Sequence, residues 1–132
     1  LDNNKRIDRK RLGDVVFNDY QKLKKLNLIT HPAISEEIKK EISKFKKQNK
    51  NIIVDAPLLY ESGMQKMFDR VIVVAADEKV IFRRLGKRYP KEKIRKIIKN
   101  QMPLGDKMKM ADLEVENNKG LKNLKMQVKK IA

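Results

Sequence analysis

The sequence predicts an α/β fold with a parallel sheet, on three observations. Two short runs, Asn51-Ile-Ile-Val-Asp55 and Arg70-Val-Ile-Val-Val-Ala75, are β-branched and apolar on successive residues, the pattern of strands buried on both faces. Stretches with apolar residues three and four apart lie before, between and after these runs, which is the spacing of amphipathic helices. Strands that alternate with helices form parallel sheets, because each helix carries the chain back to the start of the next strand.

The elements follow in order. Leu12, Val15 and Val16 recur at helical spacing between Asp8 and Phe17. Asp19 stands where an N-cap belongs, before a second helix reaching about Leu28 with Leu23 and Leu26 inward. His31-Pro32 then opens another helix, since Pro suits a first helical position. That helix reaches about Gln48 on the stripe Ile34, Ile38, Ile42 and Phe45. After the strands at 51–55 and 70–75, Asp77 is placed to cap a helix through Val80, Ile81 and Leu85 that ends near Arg88. Pro90 breaks it, and a further helix carries Ile94, Ile97 and Ile98. Leu113-Glu-Val-Glu-Asn117 is a short third strand, and Leu121, Leu124, Val128 and Ile131 mark a last helix. No internal repeat or low-complexity linker interrupts the pattern, which predicts one compact α/β unit over 1–132 with a helical excursion around 84–110.

Composition narrows the class. The chain has 132 residues, no Cys and a single His, His31. That excludes a disulfide framework, Cys-ligated zinc or iron–sulfur, and a His-rich metal site. No apolar run approaches the roughly 18 residues of a membrane span, and the opening LDNNKRIDRK has no apolar signal region. The expectation is a soluble, cytoplasmic protein. The net charge is +16, from 33 Lys and Arg against 17 Asp and Glu. It is uneven: residues 79–109 carry 12 basic and 2 acidic residues, a local +10. Such a field favours a polyanion, whether nucleic acid, an anionic membrane or a polyphosphate. The bland alternative is a compositional bias, since Lys outnumbers Arg 25 to 8, with the excess scattered over solvated faces.

Three places carry candidate chemistry. Asp55-Ala-Pro-Leu-Leu-Tyr-Glu61 leaves the end of a predicted strand, where ligands of open α/β sheets bind. A carboxylate there holds Mg²⁺ or orients a hydroxyl, or simply caps the next turn. In Arg84-Leu-Gly-Lys-Arg88 the two guanidiniums share a face if the segment is helical. Paired Arg grips phosphate oxygens, although a solvated basic helix has the same pattern. Asn117 ends the last predicted strand, where its amide can read an adenine edge or serve the turn. No G-x-x-x-x-G-K-[ST] loop occurs in the sequence.

Taken together, these segments resemble the dephospho-coenzyme A kinase family. Ile7-Asp8-Arg9-Lys10 with Leu12 and Val16-Phe17 is similar to its "(I/L)DR..L...VF". His31-Pro32 with Ile34 is similar to "HP.I", and Asp55 to Glu61 is similar to "D.PLLFE". Arg70-Val-Ile-Val-Val matches its next strand, and Arg84 to Arg88 its "R...R" lid segment. Gln101, Lys107, Ala111-Asp112 and Asn117 match "Q.....K...AD..I.N". Two positions depart: Ile97 stands where the family often has Arg, and Lys119 where it often has Gly.

The resemblance implies a P-loop NTPase-like, three-layer α/β/α fold with helical acceptor and lid insertions, and a strand order 2-3-1-4-5. Strands 51–55, 70–75 and 113–117 would be third, fourth and fifth. The family's opening strand, P-loop and second strand with its presumed base find no match in this sequence, so the resemblance is to a partial kinase domain. The expectation is that this chain alone is unstable and inactive, because the strand missing between 51–55 and 70–75 leaves backbone groups unpaired.

The resemblance further implies ATP and dephospho-CoA as substrates, Mg²⁺ as cofactor, and no membrane partner. Residues 8–50 would form the helical acceptor part, with His31, Pro32, Leu58, Leu59 and Glu61 on the substrate side. Residues 78–110 would form the basic lid. Arg84 and Arg88 would close on the phosphates, Asn117 would sit by adenine, and Asp55 would lie near Mg²⁺ or the acceptor. The alternatives are a basic nucleic-acid-binding domain, disfavoured by only 5% aromatic residues, and another P-loop small-molecule kinase.

Overall fold

The structure, a computed structural model, describes residues 5–131. The chain divides into two compact units, Leu1–Ala56 and Pro57–Ala132, where the sequence pattern predicts one.

The first unit is helical. Helix α1 (Arg9–Val16) begins at Asp8, whose carboxylate accepts the Arg11 N–H at 3.0 Å. Helix α2 (Tyr20–Lys47) begins at Asp19, which accepts the N–H groups of Gln21 and Lys22 at 3.0 and 3.2 Å. Both caps satisfy donors that the first helical turn leaves open. The turn expected at His31-Pro32 is absent: α2 runs unbroken for 28 residues with Pro32 inside it. Proline removes one ladder bond, the one Leu28 would accept. Helix formers flank it on both sides, so propagation outweighs that single loss. Ion pairs from Lys39 to Glu36 (2.6 Å), Lys40 to Glu37 (3.5 Å) and Lys44 to Glu41 (3.6 Å) line the later turns. The helix closes where Asn49 adopts a left-handed φ of 53°. There the N–H groups of Asn49 and Lys50 return to the carbonyls of Lys46 and Phe45, the double bond of a Schellman ending.

The expected strand at 51–55 is not formed. Residues 51–56 belong to no ladder, and Ile53 is 96% exposed. A β-branched run becomes a strand only where a neighbour pairs its N–H and C=O groups, and among the described residues 51–55 meets none.

The second unit is built on a two-stranded parallel sheet. Strand β1 (Ile72–Ala75) pairs with β2 (Leu113–Glu116) in the register Ile72 to Leu113 through Ala75 to Glu116. Asp112 closes the amino end of the ladder: its carboxylate accepts the Val71 N–H at 2.8 Å and its own N–H bonds the Val71 carbonyl at 3.0 Å. Tyr60, Val71 and Val73 form the buried cluster, with Leu59, Met102, Met108 and Ala111 against it. The sequence predicts strands covered on both faces, yet β1 alternates. Val71, Val73 and Ala75 are buried, while Ile72 and Val74 are 46% and 58% exposed. Only one face of the sheet is covered among the described residues.

Between the strands run α3 (Glu78–Leu85), α4 (Lys91–Lys99) and α5 (Leu104–Lys109), and α6 (Leu121–Ile131) follows β2. Ile94 of α4 is completely buried. Helix α3 stops at Leu85, one residue before Gly86, and residues 86–88 form a turn. A Cβ at Gly86 would lie 2.7 Å from the Phe82 carbonyl oxygen, so the turn is shaped for glycine. No helix among the described residues is long and apolar enough to cross a membrane.

Candidate functional site

Parallel strands point their carboxyl ends the same way, and the loops leaving those ends form the ligand edge of such sheets. Here the edge is made by Ala75 to Asp77 after β1 and Glu116 to Asn118 after β2. The two loops are bonded to each other. The Asn117 N–H continues the ladder to the Ala75 carbonyl at 2.7 Å. The Asp77 N–H donates to the Asn118 carboxamide oxygen at 2.6 Å, and the Asn118 amide donates to the Asp77 carboxylate at 2.8 Å. Asp77 occupies the N-cap position of α3 but makes no side-chain cap there; its carboxylate serves Asn118 instead.

Arg84 reaches the same edge. Its guanidinium donates to the Asn117 backbone carbonyl at 2.8 Å. The structure therefore brings Arg84 and Asn117 together, which no spacing rule connects across 33 residues. One donor of the fork is used, and a guanidinium has four more for an anion. The Asn117 carboxamide makes no hydrogen bond among the described residues, whereas that of Asn118 is fully engaged with Asp77 and Glu116. Arg88 lies in the turn after α3, exposed. It is not on a helical face with Arg84, because the helix ends before it: the shared-face expectation fails at Gly86.

A second constellation holds the segment that follows Asp55. Glu61 and Lys107 form an ion pair of 2.7 Å with side chains only 17% and 13% exposed. The same Glu61 oxygen accepts the Met102 N–H at 2.8 Å, and the Lys107 ammonium also reaches the Pro57 carbonyl at 3.4 Å. Burial pushes the Glu61 carboxyl up, but the Lys107 hydrogen bond and charge and the backbone N–H groups outweigh it, leaving it below the usual carboxylate range. Ser62 donates to the carbonyls of Leu58 and Leu59 at 2.8 and 3.0 Å, tightening the turn. Leu59 packs on the Tyr60 cluster. The Tyr60 hydroxyl is buried without a hydrogen-bond partner, and burial, with the Asp112 carboxylate behind it, raises the phenol above its ordinary value. Lys107 carries the pair with Glu61, a role that lies 46 residues from its partner in sequence and has no local signal.

The remaining candidates belong to the first unit. His31 is half-buried and Pro32 exposed in the middle of α2. Asp55 is exposed and makes no hydrogen bond or ion pair among the described residues. No group of three or more His, Asp or Glu that could hold a metal ion occurs among the described residues.

Comparison with known proteins agrees with the motif reading. The family model described as dephospho-CoA kinase matches residues 1–123. Two similar relatives, both named dephospho-CoA kinase, are from Fusobacterium nucleatum and Lactobacillus johnsonii. The first is 42% identical over 134 residues, covering 100% of this chain and 68% of the relative. The second is 39% identical over 120 residues, covering 89% of this chain and 61% of the relative. The chain thus spans about two thirds or less of the length of such relatives. Among solved structures, the dephospho-CoA kinase from Campylobacter jejuni superposes with a TM-score of 0.67 at 30% identity, covering 99% of this chain and 66% of that one. The α/β architecture with its parallel sheet is the one these kinases have. On a family match over residues 1–123 and on relatives near 40% identity, the chain belongs to the dephospho-CoA kinase family.

Proposed function

We propose that the protein transfers the γ-phosphoryl group of ATP to the ribose 3′-hydroxyl of dephospho-CoA, giving coenzyme A and ADP, the last step of coenzyme A synthesis. The observation that carries this reading is Arg84 bonded to the Asn117 carbonyl at the carboxyl edge of both strands. In the transfer, a bond forms between the 3′-oxygen and the γ-phosphorus, and the bond to the β–γ bridging oxygen breaks. The hydroxyl gives up its proton and ADP leaves. Such a step needs positioning and charge stabilisation more than covalent help from the protein.

The roles divide along the chain. Residues 78–110 act as the lid: Arg84 contributes its remaining guanidinium donors to the phosphates and Arg88 joins it from the turn after α3. The local +10 of this segment serves the same end. Asn117 faces the adenine with its uncommitted carboxamide. Residues 8–50 receive dephospho-CoA, with His31 and Pro32 on α2 and Leu58 after Asp55. Leu59 and Glu61 support this side from the core and the Lys107 pair, and Asp55 orients the acceptor hydroxyl. Asp55 is also the carboxylate that would help hold Mg²⁺, which would neutralise phosphate charge when bound. Both proposed substrates are water-soluble nucleotides, which supports the reading of a cytoplasmic protein.

The test is ATP-dependent formation of coenzyme A from dephospho-CoA by the full-length protein, with ADP release followed in parallel. Stoichiometric coenzyme A and ADP are expected. ATP turnover that ignores dephospho-CoA, or that phosphorylates another acceptor, overturns the assignment. Tight, steeply salt-dependent binding to DNA or RNA in its place would restore the nucleic-acid alternative.

A further inference from the structure

We propose that Gln127 is a positioning residue for the nucleotide side of this site. Its carboxamide stands in for a strand neighbour at Glu116 and thereby holds Asn117, the residue to which Arg84 is bonded. The inference rests on the phosphoryl-transfer reading and adds a residue beyond the 1–123 family match.

In a parallel ladder successive residues turn their backbone groups to opposite sides. Leu113 and Asn117 donate towards β1, to Val71 and Ala75. Glu116 therefore turns its N–H and C=O the other way, to an edge with no third strand among the described residues. Gln127, on α6, answers both groups: its Oε1 accepts the Glu116 N–H at 2.8 Å and its Nε2 donates to the Glu116 carbonyl at 2.8 Å. A carboxamide has the donor and acceptor of a peptide unit, so the pairing is that of a strand one residue long. The second Nε2 hydrogen goes to the Asn123 carboxamide oxygen at 2.8 Å, which fixes the orientation of the group. Asn118 braces the other side through Asp77 and the Glu116 carboxylate. Between the two braces Asn117 has one position, and the Arg84 guanidinium is set by it. Glutamate in place of Gln127 has no donor, and asparagine is one methylene short.

The experiment uses the full-length protein with Gln127→Met, which keeps the packing, and Gln127→Glu, which keeps the length. Equilibrium binding of a fluorescent ATP analogue is measured beside KM for both substrates and the thermal midpoint. The expected result for both variants is a nucleotide Kd and an ATP KM raised about fivefold, the size of one lost hydrogen bond. The KM for dephospho-CoA should stay within about twofold, since a change below 0.5 kcal/mol is what an untouched site shows. In an Arg84→Ala background the Gln127 change should add nothing to the loss. A folded Gln127→Met protein with wild-type nucleotide affinity overturns the proposal, as do equal shifts in both KM values or full additivity with Arg84→Ala. If the wild type binds ATP but forms no coenzyme A, the acceptor assignment fails while the nucleotide Kd values still decide the role of Gln127. A wild type that binds no nucleotide sinks both.

Discussion

The two units are held by different means. In the first, Val16 is the only buried residue among those described, and α2 buries none of its 28 residues. Its side-chain bonds join Asp8 to Arg11, Asp19 to Lys22, Leu26 to Thr30 and Glu36 to Lys39, and none of these spans more than four residues. In the second, Tyr60, Met64, Val71, Val73, Ala75, Ile94 and Val115 are buried. Its bonds link Glu61 to Met102, Asp77 to Asn118, and Arg84 to Asn117. Local bonds make a helix, and burial with long-range bonds makes a site. The family motifs in the first unit sit on a helix that propensity and capping maintain, and those in the second are joined to one another.

The comparison can be broken most directly at Lys107. Removing it leaves the Glu61 carboxylate buried and unpaired, so Lys107→Ala in the full-length protein should cost about 3 kcal/mol of stability in urea unfolding. The pair also has a pH signature. Glu61 titrates lower when folded than when unfolded. Its contribution is therefore complete above the unfolded value of about 4.3 and is lost as pH falls through the lower, folded one. That acid loss should disappear in Glu61→Gln. Unchanged urea midpoints in both variants would remove the pair from the account.

The opposite sign is expected in the first unit. Pro32→Ala restores the N–H that the Leu28 carbonyl lacks and should strengthen α2 by about 2 kcal/mol, somewhat below the full cost of an interior proline. Slower amide exchange between Ile29 and Ser35 would show it. A motif residue whose replacement stabilises its helix is retained for something other than folding, so the KM for dephospho-CoA should be measured on the same variant.

Arg84→Ala addresses the site alone. It should lower kcat at least about tenfold, since loss of one charge-stabilising donor costs up to about 10³, with binding of dephospho-CoA nearly intact. An unchanged kcat removes the lid role. The smallest effect is expected for Tyr60→Phe. The hydroxyl is buried without a partner, so its removal should be neutral or stabilise by up to about 1 kcal/mol. The family pattern resembled here has Phe at this place. A clear loss of stability would mean that the hydroxyl is bonded after all.

Much of this was legible in the sequence because it is local. The cap at Asp19, the ending of α2 near Gln48, the strands at 72–75 and 113–116 and the last helix all follow from spacing and end residues, whereas the cap at Asp8 is seen only in the structure. The failures share one cause. Pro32 suits a helix start, but a long helix tolerates one missing bond, and α2 runs through it. Residues 51–55 have the composition of a strand, but a strand exists only with a partner. The spacing of Arg84 and Arg88 predicts one helical face, but α3 ends at Leu85.

By itself, then, the chain's order of residues determined the strands at 72–75 and 113–116 and most of the helical segments, where the basic charge lies and which family the motifs belong to. Each of these depends on near neighbours or on order along the chain. Only the tertiary structure decided that Glu61 pairs with Lys107, that Arg84 rests on Asn117 and that Gln127 completes the edge of β2. Those partners lie 11 to 46 residues apart in sequence. Packing brings them together, because buried backbone and charged groups must find partners wherever the fold places them.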